Sequence, residues 1–323
     1  VPTVLVTRRL PPPGTAALRD AGVEVRESPS DAPLDRGELL VGVRDVDALL
    51  CMLTDRVDAE VFDAAPSLSI VANFAVGFDN VDVAEAARRG IVVTNTPDVL
   101  TEATADLAWA LLLAAARRVG EGDRLVRTGS WTGWSPTQLL GAPVHGATLG
   151  IVGLGRIGTA VARRARGFDM DVCYTSRRRH EAAEAETGAR YVTLGELLRT
   201  SDVVSLHAPL GETTRHLIDE AALGSMKPTA VLVNTARGAL VDEDALVRAL
   251  RDGTIAAAGL DVFEHEPALA AGLRDLPNVV LAPHIGSATT QARAAMVKLC
   301  CENIVRVLAG RPPLTPVRPE ATG

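Results

Sequence analysis

The stretch from Gly150 to Ser176, GIVGLGRIGTAVARRARGFDMDVCYTS, constrains this chain more than any other. An apolar run, Thr148 to Val152, has the length of a buried strand. The turn Gly153-Leu154-Gly155-Arg156-Ile157-Gly158 follows it. A helical pattern then places Ile157, Val161, Ala165 and Phe168 near one face, and Val172-Cys173-Tyr174 reads as a second strand. In a G-x-G-x-x-G turn the first glycine permits the tight turn, the second lets backbone approach a pyrophosphate, and the third lets helix pack close to strand. The helix N-terminus offers free N–H groups and a positive dipole end to that phosphate. Many glycine-rich turns bind nothing, but strand, turn, helix and strand in this order predict a dinucleotide-binding unit in which Gly153 to Gly158 meet the cofactor.

The 323 residues suggest two domains, each able to bury its own core. A net charge of −7 without a basic stripe argues against a nucleic-acid partner. The most apolar run, Leu107 to Ala116 between Asp106 and Arg117, is too short to span a membrane. The chain opens directly into the strand-like Thr3 to Thr7, with no basic and apolar leader, so the cytoplasm is expected. Cys51, Cys173, Cys300 and Cys301 lack C-x-x-C spacing and are expected as reduced, buried thiols.

Residues 1 to 98 alternate apolar runs with helical patterns. Strands are expected at Thr3–Thr7, Gly22–Val25, Ala48–Leu53, Ser69–Asn73 and Ile91–Val93, a small parallel α/β unit. Within it, Gly77 lies just beyond a strand end in the loop Asn73 to Asp82; from this loop alone an ordinary turn is the simpler reading. A helix is expected through Ala103–Val119, with Thr101 as its cap and Gly120 as its stop. Its middle is apolar all round, so it should be covered on every side, between domains or against another subunit. The loop Trp131 to Pro136 reads as a packing arm or a substrate lid, the arm being favoured. Further strands are expected at Asp202–Leu206, Ala230–Asn234, Ile255–Leu260 and Asn278–Ala282. These make six with the first two, the count of a complete doubly wound domain. Gln291 to Leu308 is a final amphipathic helix, and the proline-rich end after it is expected to be loose.

In open parallel sheets, ligands bind outside the carboxyl ends of the strands. Thr235-Ala236-Arg237-Gly238, then Asp261 with Glu264 and Glu266, then Pro283-His284, follow three successive expected strands. A carbonyl that accepts a hydride must also gain a proton, and histidine titrates nearest neutrality. A carboxylate beside an imidazole orients it and favours its protonated form. Arginine clamps a substrate carboxylate in bidentate fashion. The expected roles are Arg237 for substrate, a glutamate as orienter and His284 as acid–base. Spacing alone does not separate Glu264 from Glu266. Each residue alone also has a bland reading as a structural or surface group.

Over nearly its whole length the chain resembles the D-isomer-specific 2-hydroxyacid dehydrogenases. The motifs that carry this are Gly153–Gly158, Asn234-Thr235-Ala236-Arg237-Gly238, Asp261-Val262-Phe263-Glu264-His265-Glu266-Pro267 and Pro283-His284-Ile285-Gly286. The resemblance implies a catalytic set of Arg237, Glu266 and His284, which selects Glu266 over Glu264. It implies an α/β chain of two Rossmann-like or flavodoxin-like parallel-sheet domains with an interdomain active-site cleft. The substrate-binding domain would be discontinuous, residues 1–98 plus 288–323, and the dinucleotide-binding domain would be residues 99–287. Val76 and Gly77 would grip the substrate carboxylate through backbone N–H groups, and Leu53 would line the same pocket, overturning the reading of this loop as an ordinary turn. Thr235, Ala236, Arg237 and Asp261 would stand among the cofactor contacts. Within the family the chain is most similar to glyoxylate/hydroxypyruvate reductases, through Asn73 to Asn80, Trp131 to Pro136 and His284 to Thr289. Relatives of that group are homodimers, which would explain the apolar helix. Other readings are a phosphoglycerate or hydroxyphenylpyruvate type of the same family, and a nucleotide-sensing protein like the corepressors that share the fold. No regulatory domain is expected after Gly323, which disfavours only the longer phosphoglycerate type.

An NAD-binding unit places Asp or Glu about twenty residues past the first glycine, on the ribose 2′-OH. Here the place reads Tyr174-Thr175-Ser176-Arg177-Arg178-Arg179, with no acid at the end of the expected strand Val172–Tyr174 and Asp171 before it. The missing carboxylate removes a repulsion against a 2′-phosphate, and Ser176, Arg177 and Arg178 are expected to bind one. NADP(H) is therefore expected over NAD(H). Lys227 and Lys298 are the only lysines, so a single arginine says less here than usual, whereas the absent acid is free of that bias.

Overall fold

Two parallel sheets organise the chain, each in its own compact unit. The structure is a computed structural model that describes residues 1–319. One unit is Val1–Leu100 with Ser287–Gly323, the other Thr101–Gly286.

The first unit begins with β1 (Thr3–Val6), β2 (Glu24–Glu27), β3 (Ala48–Cys51), β4 (Ile70–Asn73) and β5 (Val92–Thr94). They lie in the order β5-β4-β3-β1-β2, all parallel. Central strands β1, β3 and β4 are buried along their whole length, as strands covered on both faces must be. β2 falls two residues later than its expected Gly22 start, because Gly22 holds the preceding turn at φ +76°.

The second unit holds β6 (Thr148–Val152), β7 (Asp171–Thr175), β8 (Arg190–Tyr191), β9 (Val203–Leu206), β10 (Val231–Asn234), β11 (Ala257–Leu260) and β12 (Val279–Leu281). Their order is β12-β11-β10-β9-β6-β7-β8, all parallel. There are seven strands rather than the expected six. The additional strand, β8, carries no sequence signal because it is two exposed residues, Arg190 and Tyr191, without an apolar run. The order reverses between β6 and β9, so ligand-binding ends gather there. Along β10, Val231 and Val233 join the core on one face and Leu232 the core on the other, the period of two that a doubly covered strand requires.

The final helix, Thr290–Leu308, packs on β3, β4 and β5 of the first unit. After it, β13 (Pro316–Val317) adds antiparallel to β5. This corrects the expectation of a loose end for the described part of that segment. Asn303, fully buried, accepts from Leu314 N (2.7 Å) and Thr315 N (3.3 Å) and donates to Thr315 Oγ1 (2.9 Å), fastening the segment. Residues 320–323 lie outside the described residues.

The apolar helix also departs from expectation. It spans Thr101–Ala116, and Arg118 at φ +53° breaks the chain before a second helix, Val119–Arg127, which contains the expected stop Gly120. The first helix packs on β10 and β11 and on the helix Arg156–Ala165. Trp109 stacks on Phe168 and donates to Val161 O at 3.1 Å. Its coverage is one-sided: Leu111, Leu112, Ala115 and Ala116 are buried, while Leu107, Leu113 and Ala114 are half-buried and Ala110 is exposed. No described helix is long and apolar enough to cross a membrane.

Gly259 in β11 sets the helix-to-sheet distance. A Cβ there would stand 2.9 Å from Leu111 Cβ and 3.0 Å from Leu111 O. Gly259→Val is expected to lower stability by about 1–3 kcal/mol, the usual cost of overpacking, measured by thermal unfolding. An unchanged midpoint would show that this helix shifts freely on the sheet.

Candidate active site

The glycine-rich turn leaves β6 at the reversal point. Gly153, at φ +96°, lies so close to β9's end that a Cβ would meet His207 O and Ala208 N at 2.8 Å. A Cβ on Gly158 would overlap Gly153 O. Gly155 is different, for a Cβ there meets nothing within 4 Å. Two glycines thus close the turn, and the third leaves its surface open to an approaching group. Gly155 is also the N-cap of the helix Arg156–Ala165, and no side chain caps that end. Leu154 is buried and Ile157 packs against the core, so both offer only backbone here, while Arg156 is exposed. Thr235 Oγ1 is buried with no partner among the described residues. An open glycine, an uncapped helix end and an orphaned hydroxyl fit a dinucleotide, whose pyrophosphate would lie on the turn.

His207, just past β9, hydrogen-bonds through Nε2 to Ser205 Oγ at 2.8 Å. Burial lowers its pKa to about 4, so it is neutral at physiological pH.

Beyond β10, Asn234 shapes the turn. Its Oδ1 accepts from Ala236 N at 3.0 Å and its Nδ2 donates to Arg237 O at 2.8 Å. Gly238 then meets the loop after β11 so closely that a Cβ would overlap the Phe263–Glu264 peptide. Beyond β11, Asp261 is 1% exposed, with Oδ1 accepting from Ile285 N and Oδ2 from Gly286 N, each at 2.7 Å. Burial pushes its carboxyl above the ordinary range, against the pull of those donors. His284 N donates to Asp261 O at 2.9 Å. These three bonds hold the turn in which His284 sits at φ +54°, the left-handed region that a side chain normally avoids.

His284 Nδ1 lies 2.8 Å from Glu266 Oε2, with the two side chains 25% and 28% exposed. Glu266 Oε1 accepts from Phe263 N at 3.0 Å. Burial alone would raise the Glu266 carboxyl; the hydrogen bond and charge of His284, with Phe263 N–H and the Arg237 charge, hold it below its ordinary value. The structure therefore brings His284, Glu266 and Arg237 into one electrostatic group. Glu264 belongs elsewhere: its Oε1 meets His216 Nε2 at 2.7 Å. One contributor gave no signal in the sequence. Glu243, 5% exposed, accepts from Glu264 N (2.7 Å) and Ala270 N (3.2 Å) and so anchors the loop that carries Glu266. An acid in a helix's first turn reads as an ordinary complement to the dipole.

After β7, Arg179 pairs with Glu184, which also accepts from Tyr174 Oη. Ser176 Oγ donates to Arg178 O, so that hydroxyl is engaged within its own turn. No carboxylate from residues 176–178 stands at the strand end.

In the first unit, Leu53 lies in the loop after β3, and Val76 and Gly77 lie in the loop after β4. Ala75 O accepts from Thr96 N (2.9 Å), Val76 O from Asn95 Nδ2 (2.8 Å) and Gly77 O from Asn73 Nδ2 (2.8 Å). In a planar trans peptide the carbonyl and the next N–H point opposite ways. Three anchored carbonyls therefore turn away the N–H groups of Val76, Gly77 and Phe78, none of which has an acceptor among the described residues. Successive free N–H groups make a place for an anion.

Gly155→Ala tests the turn. Because the added methyl meets open space, thermal stability should stay within about 1 kcal/mol of the parent, whereas dinucleotide affinity by fluorescence titration should fall at least about tenfold. Unchanged affinity would remove this turn from the cofactor site.

Comparison with known proteins agrees with this geometry. The profile of the family described as D-isomer specific 2-hydroxyacid dehydrogenase, NAD binding domain, matches residues 109–286. A glyoxylate reductase from Thermococcus onnurineus is 54% identical, covering 99% of this chain and 96% of that protein. A solved protein from Thermus thermophilus superposes with a TM-score of 0.91 at 48% identity, covering 98% of this chain and 99% of the other. An NADPH-dependent glyoxylate/hydroxypyruvate reductase from Sinorhizobium meliloti, solved with NADP and malonate, does so with a TM-score of 0.86 at 38% identity, covering 99% of each chain. With this fold, this dinucleotide turn and relatives that match from end to end, the chain belongs to the D-isomer specific 2-hydroxyacid dehydrogenases, a family of oxidoreductases.

Proposed function

We propose that this protein reduces small 2-oxo acids, glyoxylate and hydroxypyruvate first, to D-2-hydroxy acids with NADPH. The observation that carries the reading is the His284–Glu266 pair, with the Arg237 charge beside it, on the sheet edge that also bears the dinucleotide turn. Bound reduced nicotinamide supplies a hydride to the carbonyl carbon. His284 gives the carbonyl oxygen its proton from Nε2, while Glu266 holds Nδ1 and stabilises the imidazolium. Arg237 neutralises the substrate carboxylate and polarises the carbonyl. The free N–H groups of Val76 and Gly77 hold that carboxylate, and Leu53 limits the pocket beside it. The same acid–base pair serves the reverse oxidation.

The choice of NADPH rests on the missing acid after β7 and on Arg177 and Arg178 in its place. A charge-assisted bond to a 2′-phosphate is worth roughly 1.5–3 kcal/mol, less in solvent. Ser176 would contribute only by giving up its bond to Arg178 O. The Sinorhizobium protein, described as NADPH-dependent, supports the choice. The decisive assay follows reduced-cofactor oxidation with glyoxylate. Expected is a kcat/KM at least about tenfold higher with NADPH than with NADH. His284→Ala should still bind NADPH and lose about 100-fold or more in turnover. Equal efficiency with both cofactors would overturn the arginine reading, and intact turnover in the variant would overturn the acid–base role.

The protein is further proposed to be a homodimer. The half-covered Thr101–Ala116 helix supports this, as do Val119, Val126, Trp131, Trp134 and Leu140, all exposed on the segment after it. Trp134 is 82% exposed. Light scattering should give twice the 33.9 kDa chain mass, and a monomer in solution would overturn the assignment. Four buried cysteines, none in a disulfide, support a reducing compartment, the cytoplasm.

A further inference from the structure

We infer that Asn80 and Asn95 are positioning residues that hold the backbone of the Val76–Gly77 loop in its anion-binding form. The inference rests on the proposal that this loop grips the substrate carboxylate. A backbone N–H binds an anion well only when its peptide plane is already turned the right way, since turning it during binding costs the affinity that the contact would supply. Here the planes are set from behind, through their carbonyls.

Asn95 Nδ2 fixes the Val76–Gly77 plane by its bond to Val76 O at 2.8 Å. Asn73 Nδ2 fixes the next plane through Gly77 O at 2.8 Å. Asn73 is itself oriented by Asn80: the two amides pair reciprocally, Asn73 Nδ2 to Asn80 Oδ1 at 3.3 Å and Asn80 Nδ2 to Asn73 Oδ1 at 3.2 Å. Flipping either amide would set donor against donor. Asn80 Nδ2 also reaches Met52 O and Asp55 O, each at 3.1 Å. It therefore ties the loop after β4 to the loop that carries Leu53. That second loop has its own clamp, for Asp55, 4% exposed, accepts from Met52 N at 2.7 Å and from the Thr7 hydroxyl. The two loops form one hydrogen-bonded piece, and the N–H groups of Val76, Gly77 and Phe78 are three successive free donors on it.

The test compares kcat/KM for glyoxylate and for its uncharged methyl ester, with NADPH, in the parent, Asn80→Ala and Asn95→Ala. A carboxylate grip makes the parent favour the acid. If the asparagines position that grip, the acid-to-ester ratio should fall about tenfold in each variant. General loss of structure would lower both substrates together and leave the ratio where it was. Thermal unfolding of each variant is recorded alongside, and a lowered midpoint with the parent ratio counts against positioning. Asn95, half-buried at a strand end, provides the variant that folds should Asn80→Ala fail to. A parental ratio near one would overturn the carboxylate grip itself. A high parental ratio retained in the variants would leave the grip standing and overturn the role of Asn80 and Asn95.

Discussion

The buried carboxylate of Asp261 is the interaction on which the rest of the site depends. An acid that is 1% exposed costs several kcal/mol in desolvation unless its oxygens are met by donors. Two short backbone N–H bonds, from Ile285 and Gly286, meet them. The same bonds secure a turn in which His284 stands at positive φ, a conformation that costs about 1–2 kcal/mol for a non-glycine residue. Asp261 thus converts burial into direction. It stands at the end of β11, receives the turn after β12 and points the imidazole toward Glu266.

Around it, neighbouring loops are joined in a similar way. Gly238 lets the turn after β10 touch the peptide at Phe263, Glu243 ties down both sides of the Glu266 loop, and Phe263 N–H holds Glu266 itself. Glu243 and Glu266 are each held by two contacts. Such over-determination allows a reactive dyad to keep its spacing while remaining open to solvent and substrate. The first unit uses the same device with amides in place of acids, as asparagine side chains hold carbonyls so that N–H groups face outward.

Much of this was legible in the residues. The glycine turn was readable because its three positions have different steric demands, and the structure shows three different surroundings for them. The central strands were readable because a doubly covered strand is a continuous apolar run. β8 was not, since two exposed residues carry no pattern. The break at Arg118 was hidden as well, because arginine is a good helix former and nothing local signals a left-handed residue there. The end after Pro313 looked loose because its order comes from Asn303, a single polar residue buried in a helix.

By itself the sequence determined the two parallel sheets, the place of the dinucleotide turn and the set of chemical groups at the strand ends, all of which follow from local sterics and periodicity. Only the tertiary structure decided the pairings. Glu264 and Glu266 stand two residues apart with the same chemistry, and one meets His216 while the other meets His284. Asp261, Glu243 and Asn80 act through backbone groups up to 28 residues away in sequence. Hydrogen bonds of that range depend on where the sheet brings separate loops together, and burial, which gives them their strength, is a property of the packed chain rather than of any segment.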